Sequence, residues 1–148
     1  MLTKKGKYGL KAVVHLARLP AGASTQVADI AETNQIPKKF LDVILGELRN
    51  AGFLVSKKGK LGGYRLARPP EEIIVGDMIR ALDGPLAPFP CASRNAYEPC
   101  EDCDVSRCEV RLLMVRVRDA IGTVLDKYTL AQMRDLSQEE FTSFVDYI

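Results

Sequence analysis

All four cysteines of this 148-residue chain lie in one stretch, CASRNAYEPCEDCDVSRC, from Cys91 to Cys108. Their spacing, Cys-x8-Cys-x2-Cys-x4-Cys, collects Cys91, Cys100, Cys103 and Cys108 in a polar loop that contains no histidine. Four thiolates need no outside ligand to hold a tetrahedral zinc ion or either common iron–sulfur cluster, 2Fe–2S or 4Fe–4S. The two-residue gap between Cys100 and Cys103 also permits a thiol–disulfide switch. Cys108 stands where a long helical pattern begins, and a helix N-terminus favours the thiolate that a metal requires. The single histidine, His15, interrupts an amphipathic helix and is read as structural.

The compartment bears on that chemistry. The N-terminus, MLTKKGKYGLKAVVHLARLP, is basic and then amphipathic, without the continuous apolar segment of a signal peptide. No stretch approaches the roughly 18 apolar residues of a membrane span. A cytoplasmic protein without a membrane partner is expected, in which clustered thiols bind metal more often than they form bridges. No constellation for catalysis or for a small-molecule substrate stands out, so a non-enzyme is expected.

The elements that would carry the loop are read from periodicity. Leu10, Val13, Val14 and Ala17 recur at helical spacing between Lys4 and Leu19, and Pro20 with Gly22 stops the run. Ser24 or Thr25 can cap a short second helix bearing Val27, Ala28, Ile30 and Ala31, which Asn34 ends. Pro37 suits the first position of a third helix whose buried stripe is Phe40, Leu41, Ile44, Leu45 and Leu48, with Gly52 at its end. Two short helices about a tight turn have the layout of a helix-turn-helix, the second being the recognition helix. The runs FLVS and YRLA follow, joined by KKGKLGG (57–63), whose glycines permit the positive φ angles of a hairpin turn. A basic hairpin in that place is a wing, with Lys57, Lys58, Gly59 and Lys60 at its tip.

Charge agrees with a polyanion partner for this half of the chain. Residues 1–70 carry 13 Lys and Arg against 4 Asp and Glu, a net of +9, whereas residues 71–148 carry 8 against 15, a net of −7. Each phosphate neutralised by a lysine or arginine releases counterions and adds sequence-independent affinity.

With LTKKGKYGLKAVVHLA, the stretch from ADIAETNQIPKKFLDVILGELRNAGFLV through SKKGKLGGYRLARPP to the cysteine loop, and the long helix beyond, the chain resembles the IscR-like, Rrf-type winged-helix transcription regulators of bacteria. The resemblance implies a homodimeric regulator of double-stranded DNA, some members of which hold an iron–sulfur cluster and sense iron, cluster supply, nitric oxide or redox state. It places DNA contacts on Pro37, Lys38, Lys39, Phe40 and Val43 of the recognition helix and on the wing around Lys58 and Gly59. Two departures stand out. Lys58 replaces the usual wing arginine, trading a planar fork for a point charge. Val43 replaces a polar base-reading side chain and suits apolar contact with a thymine methyl. Relatives that hold clusters commonly use three loop cysteines and a ligand of another type. Arg111, three residues past Cys108, and Lys7 stand at positions where such a ligand can sit, and the fourth cysteine can take its place.

Beyond the wing, Pro69 and Pro70 mark a boundary, and EEIIVGDMIRALDG reads as an extended piece followed by a helix with Met78, Ile79 and Leu82 inward. Pro85, Pro88 and Pro90 lead stiffly into the cysteines. From Ser106 to Tyr128 a long helix is expected, its apolar residues Val110, Met114, Val117, Ile121, Val124 and Tyr128 alternating steps of four and three, the seam of a helix-pair dimer. Gly122 would let two such helices cross closely. SQEE (137–140) reads as a capping box opening a last helix with Phe141, Phe144 and Val145.

The expected fold is therefore mainly α with a small β-hairpin wing. Residues 1–83 form a winged helix-turn-helix domain, 84–109 a cysteine-rich cluster-binding loop, and 106–148 the dimerisation helix and a C-terminal helix. The expected function is a dimeric DNA-binding regulator, a repressor, sensing cluster, iron or redox status. A zinc-stapled or thiol-switched regulator, and more remotely an iron–sulfur carrier, are the alternatives.

Overall fold

A computed structural model describes residues 2–136; the capping box at 137–140 and the helix expected after it lie outside these residues. Helix α1 (Lys4–Ala17) opens on Thr3, whose hydroxyl accepts from the Gly6 N–H at 3.3 Å, and it buries Leu10, Val13 and Leu16. Helices α2 (Val27–Asn34) and α3 (Lys38–Asn50) follow, and between them Ile36 is buried. Gln35, at φ 54°, makes the left-handed turn that reverses the chain between the two helices. Strands β1 (Leu54–Lys57) and β2 (Gly63–Leu66) form the antiparallel wing, in register from Leu54↔Leu66 to Lys57↔Gly63. Helix α4 (Val75–Asp83), the long α5 (Glu109–Leu125) and the short α6 (Leu130–Arg134) complete the described chain.

Helix α1 packs on α3, α4 and α6, and one core joins them: Leu10, Val13, Leu41, Ile44, Leu45 and Leu48 meet Ile73, Met78, Leu82 and Leu130. Leu130 and Ala131 of α6 are thus buried in the same core as the helix-turn-helix. They get there through a two-residue bridge, in which the Leu130 N–H donates to the Ile73 carbonyl at 2.8 Å and the Val75 N–H to the Tyr128 carbonyl at 3.0 Å. Among the described residues no helix is long and apolar enough to cross a membrane.

Several local expectations are corrected. Pro37 is the N-cap of α3 and not its first helical residue. Phe40, expected on the buried stripe, is 64% exposed, while Leu41, Ile44, Leu45 and Leu48 are buried as expected. Gln26, not Ser24 or Thr25, is the cap residue of α2 and makes no side-chain capping bond, while the Thr25 backbone pairs with Tyr64 of the wing. The long helix runs from Glu109 to Leu125 instead of Ser106 to Tyr128. Asp104 causes the late start: its carboxylate accepts from the Ser106 N–H at 2.9 Å and the Ser106 hydroxyl at 2.6 Å, holding those residues in a turn.

Candidate DNA interface and thiol site

Helix α3 turns Leu41, Ile44, Leu45 and Leu48 inward, so the residues between them must face out. Pro37, Lys38, Lys39 and Phe40 are all exposed at its start, and Val43, one turn on, is 58% exposed. Two exposed apolar side chains flanked by lysines make a surface that can meet thymine methyls and phosphates together. Lys38 Nζ is paired with the Asp42 carboxylate at 3.1 Å, an i,i+4 contact on its own helix.

The wing follows α3 in the chain and is tied to the start of α2. Tyr64 and Thr25 exchange backbone hydrogen bonds of 2.8 and 3.1 Å, and Gln26 Nε2 donates to the Lys60 carbonyl at 3.0 Å. Gly63, at φ 125°, lies so close to the Thr25 carbonyl that a Cβ there would overlap it. Lys57, Lys58, Gly59 and Lys60 are exposed at the tip, and between them and the strand Leu61 is 90% exposed. Sequence reasoning named Thr25 only as a cap and missed its tie to the wing, along with Gln26 and Leu61. An isolated leucine in a glycine-rich turn was the one available signal.

The thiols form a linked series. Cys91 is buried, and Cys100, Cys103 and Cys108 are half-buried; none is in a disulfide. Each thiol acts on the next along the chain, Cys91 on Cys100, Cys100 on Cys103 and Cys103 on Cys108, and their acidities shift together. Among the described residues only Cys100, Asp102 and Cys103 have ligand atoms all within 4.8 Å of one another. Asp102 was not singled out from the sequence. The hydrogen bond that its S–H donates to Cys100, with loss of water, pushes the Cys91 thiol up. At Cys100 the bond with Cys91 pulls the other way but is outweighed by the bond with Cys103, desolvation and the nearby Asp102 charge. At Cys103 the bond with Cys100 is likewise outweighed by desolvation and the bond with Cys108, so this thiol is also pushed up. Crowded thiols resist ionising together, and a cation among them would reverse that preference. The donor set fits a thiolate-bound metal group.

Helix α5 grips the loop. Cys108 is its N-cap, and Cys108 Sγ accepts from the Arg111 N–H at 3.4 Å. Arg111 Nε donates to the Cys91 carbonyl at 2.9 Å, and its guanidinium lies 5.9 Å from the Tyr97 ring centroid. Two turns on, Arg118 Nη1 donates to the Ala92 carbonyl at 2.5 Å. Arg111 cannot be a ligand but fastens the first cysteine to the helix. Its spacing of seven from Arg118 puts both on one face and was the sequence signal for this clamp. At the other end of α5, Asp126 takes a two-pronged pair from Arg80 of α4 at 2.7 and 2.8 Å. His15 takes a hydrogen bond contact from Asn34 at 3.2 Å within the α1–α2 packing, which accords with its structural reading, and burial lowers its pKa.

The residues of the expected dimer seam remain largely uncovered. Val110 is 60% and Val124 56% exposed, Tyr128 is exposed beyond the helix end, and Met114 and Val117 are half-buried. Ile121 turns partly to the chain's own core.

Comparison with known proteins places this architecture. The model of the Rrf2 family, described as iron-dependent transcriptional regulators, matches residues 2–135. The HTH-type transcriptional regulator CymR of Bacillus subtilis is 35% identical over 147 residues, covering 99% of each chain. The solved structure of that protein, described as the global cysteine regulator of B. subtilis, has a TM-score of 0.76 at 35% identity, covering 93% of this chain and 98% of its own. The structure of T. potens IscR has a TM-score of 0.72 at 31% identity, covering 95% of this chain and 90% of its own.

Proposed function

The chain belongs to the Rrf2 family of transcriptional regulators, and on that premise we propose that it is a dimeric DNA-binding repressor whose four-cysteine loop senses iron–sulfur cluster, iron or redox status. The observation that carries the sensing is the linked thiol series, fastened at Cys91, Ala92 and Cys108 to the single helix α5. Pro37, Lys38, Lys39, Phe40 and Val43 enter the major groove, and Lys57, Lys58, Gly59 and Lys60 meet the backbone beside it. Their common exposure, with the wing locked to the start of α2, supports this reading.

The partner is a second copy of the chain. Val110, Met114, Val117, Ile121, Val124 and Tyr128 would pair with their equivalents, and an apolar groove of about 310 Å³ between Leu10, Ile79, Ile121 and Tyr128 runs beside that seam. Two copies present two recognition helices to a two-fold operator.

Cys91, Cys100, Cys103 and Cys108 would hold the cluster, which when bound supplies an oxidisable centre sensitive to iron supply. Arg111 and Arg118 fix the backbone at Cys91 and Ala92, so ordering of the loop is passed to α5. The Arg80–Asp126 pair ties α5 to α4, which packs on α1 and α3. A second reading rests on the proximity of Cys100 and Cys103: a peroxide could take two electrons from this pair, forming a disulfide and releasing water. Zinc is a further alternative occupant.

Anaerobic reconstitution of the wild type and of four single Cys→Ser variants, with iron, sulfide and zinc analysis and operator titration, tests the proposal. Loss of iron at Cys91→Ser and Cys108→Ser, a graded loss at Cys100→Ser and Cys103→Ser, and altered operator affinity in step are expected. Full iron and unchanged operator binding in all four would remove the loop as sensor. Zinc in place of iron would make it a staple.

A further inference from the structure

A second cavity adjoins the cysteine loop, sharing Ser93, Arg94 and Asn95 with it but lined by no cysteine. It has a volume of about 590 Å³ and sits between the end of α4, the Gly84–Ala87 connection, the loop around Arg94 and one face of α5. That volume is within the range of small-molecule sites, roughly 300–1,000 Å³. Four cations line it, Arg80, Arg94, Arg118 and Lys127, against two carboxylates, Asp119 and Asp126. This excess of positive charge occurs in the half of the chain whose net charge is −7, counted over residues 71–148.

The ion pairs show where the charge is unmet. Arg80 is satisfied by Asp126 in a two-pronged pair and also reaches Asp77 at 3.2 Å. Asp119, by contrast, is shared. A single oxygen, Oδ1, accepts from Arg94 Nη2 at 2.9 Å, Arg118 Nε at 2.9 Å and Arg118 Nη2 at 2.7 Å. Two guanidiniums therefore divide one negative charge. Lys127 makes no ion pair among the described residues. Gly122 opens the floor: a Cβ there would meet only Asp126, at 3.5 Å.

We propose that this cavity binds a small organic dianion, a dicarboxylate or phosphate monoester, as an effector. One anionic group meets the under-neutralised Arg94–Arg118 pair and the other Lys127. Guanidinium forks suit carboxylate and phosphate geometry alike. Because Arg118 also holds the Ala92 carbonyl, an anion drawing on Arg118 acts on the residue beside Cys91. The site thereby joins the first part of the loop to α5 without using a thiol.

Calorimetric titration of the full, DNA-free protein with succinate and with glycerol 3-phosphate, each against chloride at matched ionic strength, tests this. One saturable site per chain is expected, and whichever probe binds tighter identifies the group preferred. Arg94→Gln and Lys127→Gln should each weaken binding at least about tenfold, and Arg94→Lys should recover part of the loss. Gly122→Leu should abolish it by filling the floor. Lys11→Gln, at a cation that reaches the Asn34 carbonyl at the end of α2, should leave it unchanged. Absence of binding above the chloride control, or binding indifferent to Arg94→Gln and Lys127→Gln, would overturn the proposal. Arg94 and Lys127 are surface side chains, so the outcome does not hang on whether Gly122→Leu folds.

Discussion

Gly63→Ala tests the wing most directly. The glycine sits at φ 125°, where a side chain is strained, and its added Cβ would overlap the Thr25 carbonyl. The backbone strain costs about 1–3 kcal/mol. Relieving the overlap means moving the wing off α2, which gives up the Tyr64–Thr25 pair of hydrogen bonds, 2.8 and 3.1 Å. At about 0.5–1.5 kcal/mol each, these bring the whole to roughly 2–6 kcal/mol, against a typical domain stability of about 5–15. The hairpin can detach without unfolding the core, so the loss seen globally should fall at the lower end. DNA binding has no such escape, since a detached wing no longer stands beside α3. Gly22→Ala is the control: its φ is 78° and nothing lies within 4 Å of the added Cβ, so only strain remains. Urea unfolding should show a lowered midpoint for both variants, while operator titration at fixed salt should show at least about a tenfold loss for Gly63→Ala alone. A Gly63→Ala protein that binds operator as tightly as Gly22→Ala would refute the locked wing.

Further substitutions separate the remaining contacts. Lys39→Ala should weaken operator binding more than Lys38→Ala, because Lys38 must first leave Asp42, while Lys58→Ala should weaken all DNA evenly and reduce the salt slope by about one; titrations at several salt concentrations read this. Val110→Asp and Val124→Asp alter side chains already exposed in the single chain, so they should spare its fold yet convert a dimer to monomers in light scattering, a burial cost of several kcal/mol. Ile121→Asp would confound the two, since Ile121 also packs on its own core. The Asp126 carboxyl is held low, first by its hydrogen bond from Arg80. Its folded pKa lies below the unfolded value of about 3.9, so the pair's stability is full above that pH and is lost as pH falls through the folded pKa. Asp126→Asn should therefore lose stability at neutral pH but narrow its gap from wild type below about pH 4 in acid unfolding.

What periodicity could reveal, it revealed: the stripes Leu10–Val13–Ala17 and Leu41–Ile44–Leu45–Leu48 require one side of a helix to be buried, and that requirement is local. Phe40 shows its limit. Apolar character predicts burial, yet position 40 lies one step off the stripe and points outward. The ends of elements depended on partners distant in the chain. The backbone of Thr25 pairs with Tyr64, and α2 starts two residues on with Gln26 as its cap, while the Thr129–Gln132 capping box opens α6 where the bridge to Ile74 brings the chain back to the core. The four thiols were legible by type and spacing. The arginines that hold their loop were not, since a cation near a metal site reads first as a missing ligand.

The same facts indicate which part of the molecule can move. None of the residues of α5 is buried, and only Ile121 and Leu125 lean on the core. The helix is held instead by polar ties: Cys108 and Arg111 to the loop, Arg118 to Ala92, and Asp126 to Arg80. Hydrogen bonds and partly exposed ion pairs have small net free energies, whereas the residues joining α1, α3, α4 and α6 are closely packed. Segments with few buried contacts open at the least cost. A change in the loop would therefore be expressed as a shift of α5 on a fixed body, not as melting of α3. In a dimer joined through α5, such a shift would alter the spacing between two intact recognition helices, and half-site spacing is what a two-fold operator measures.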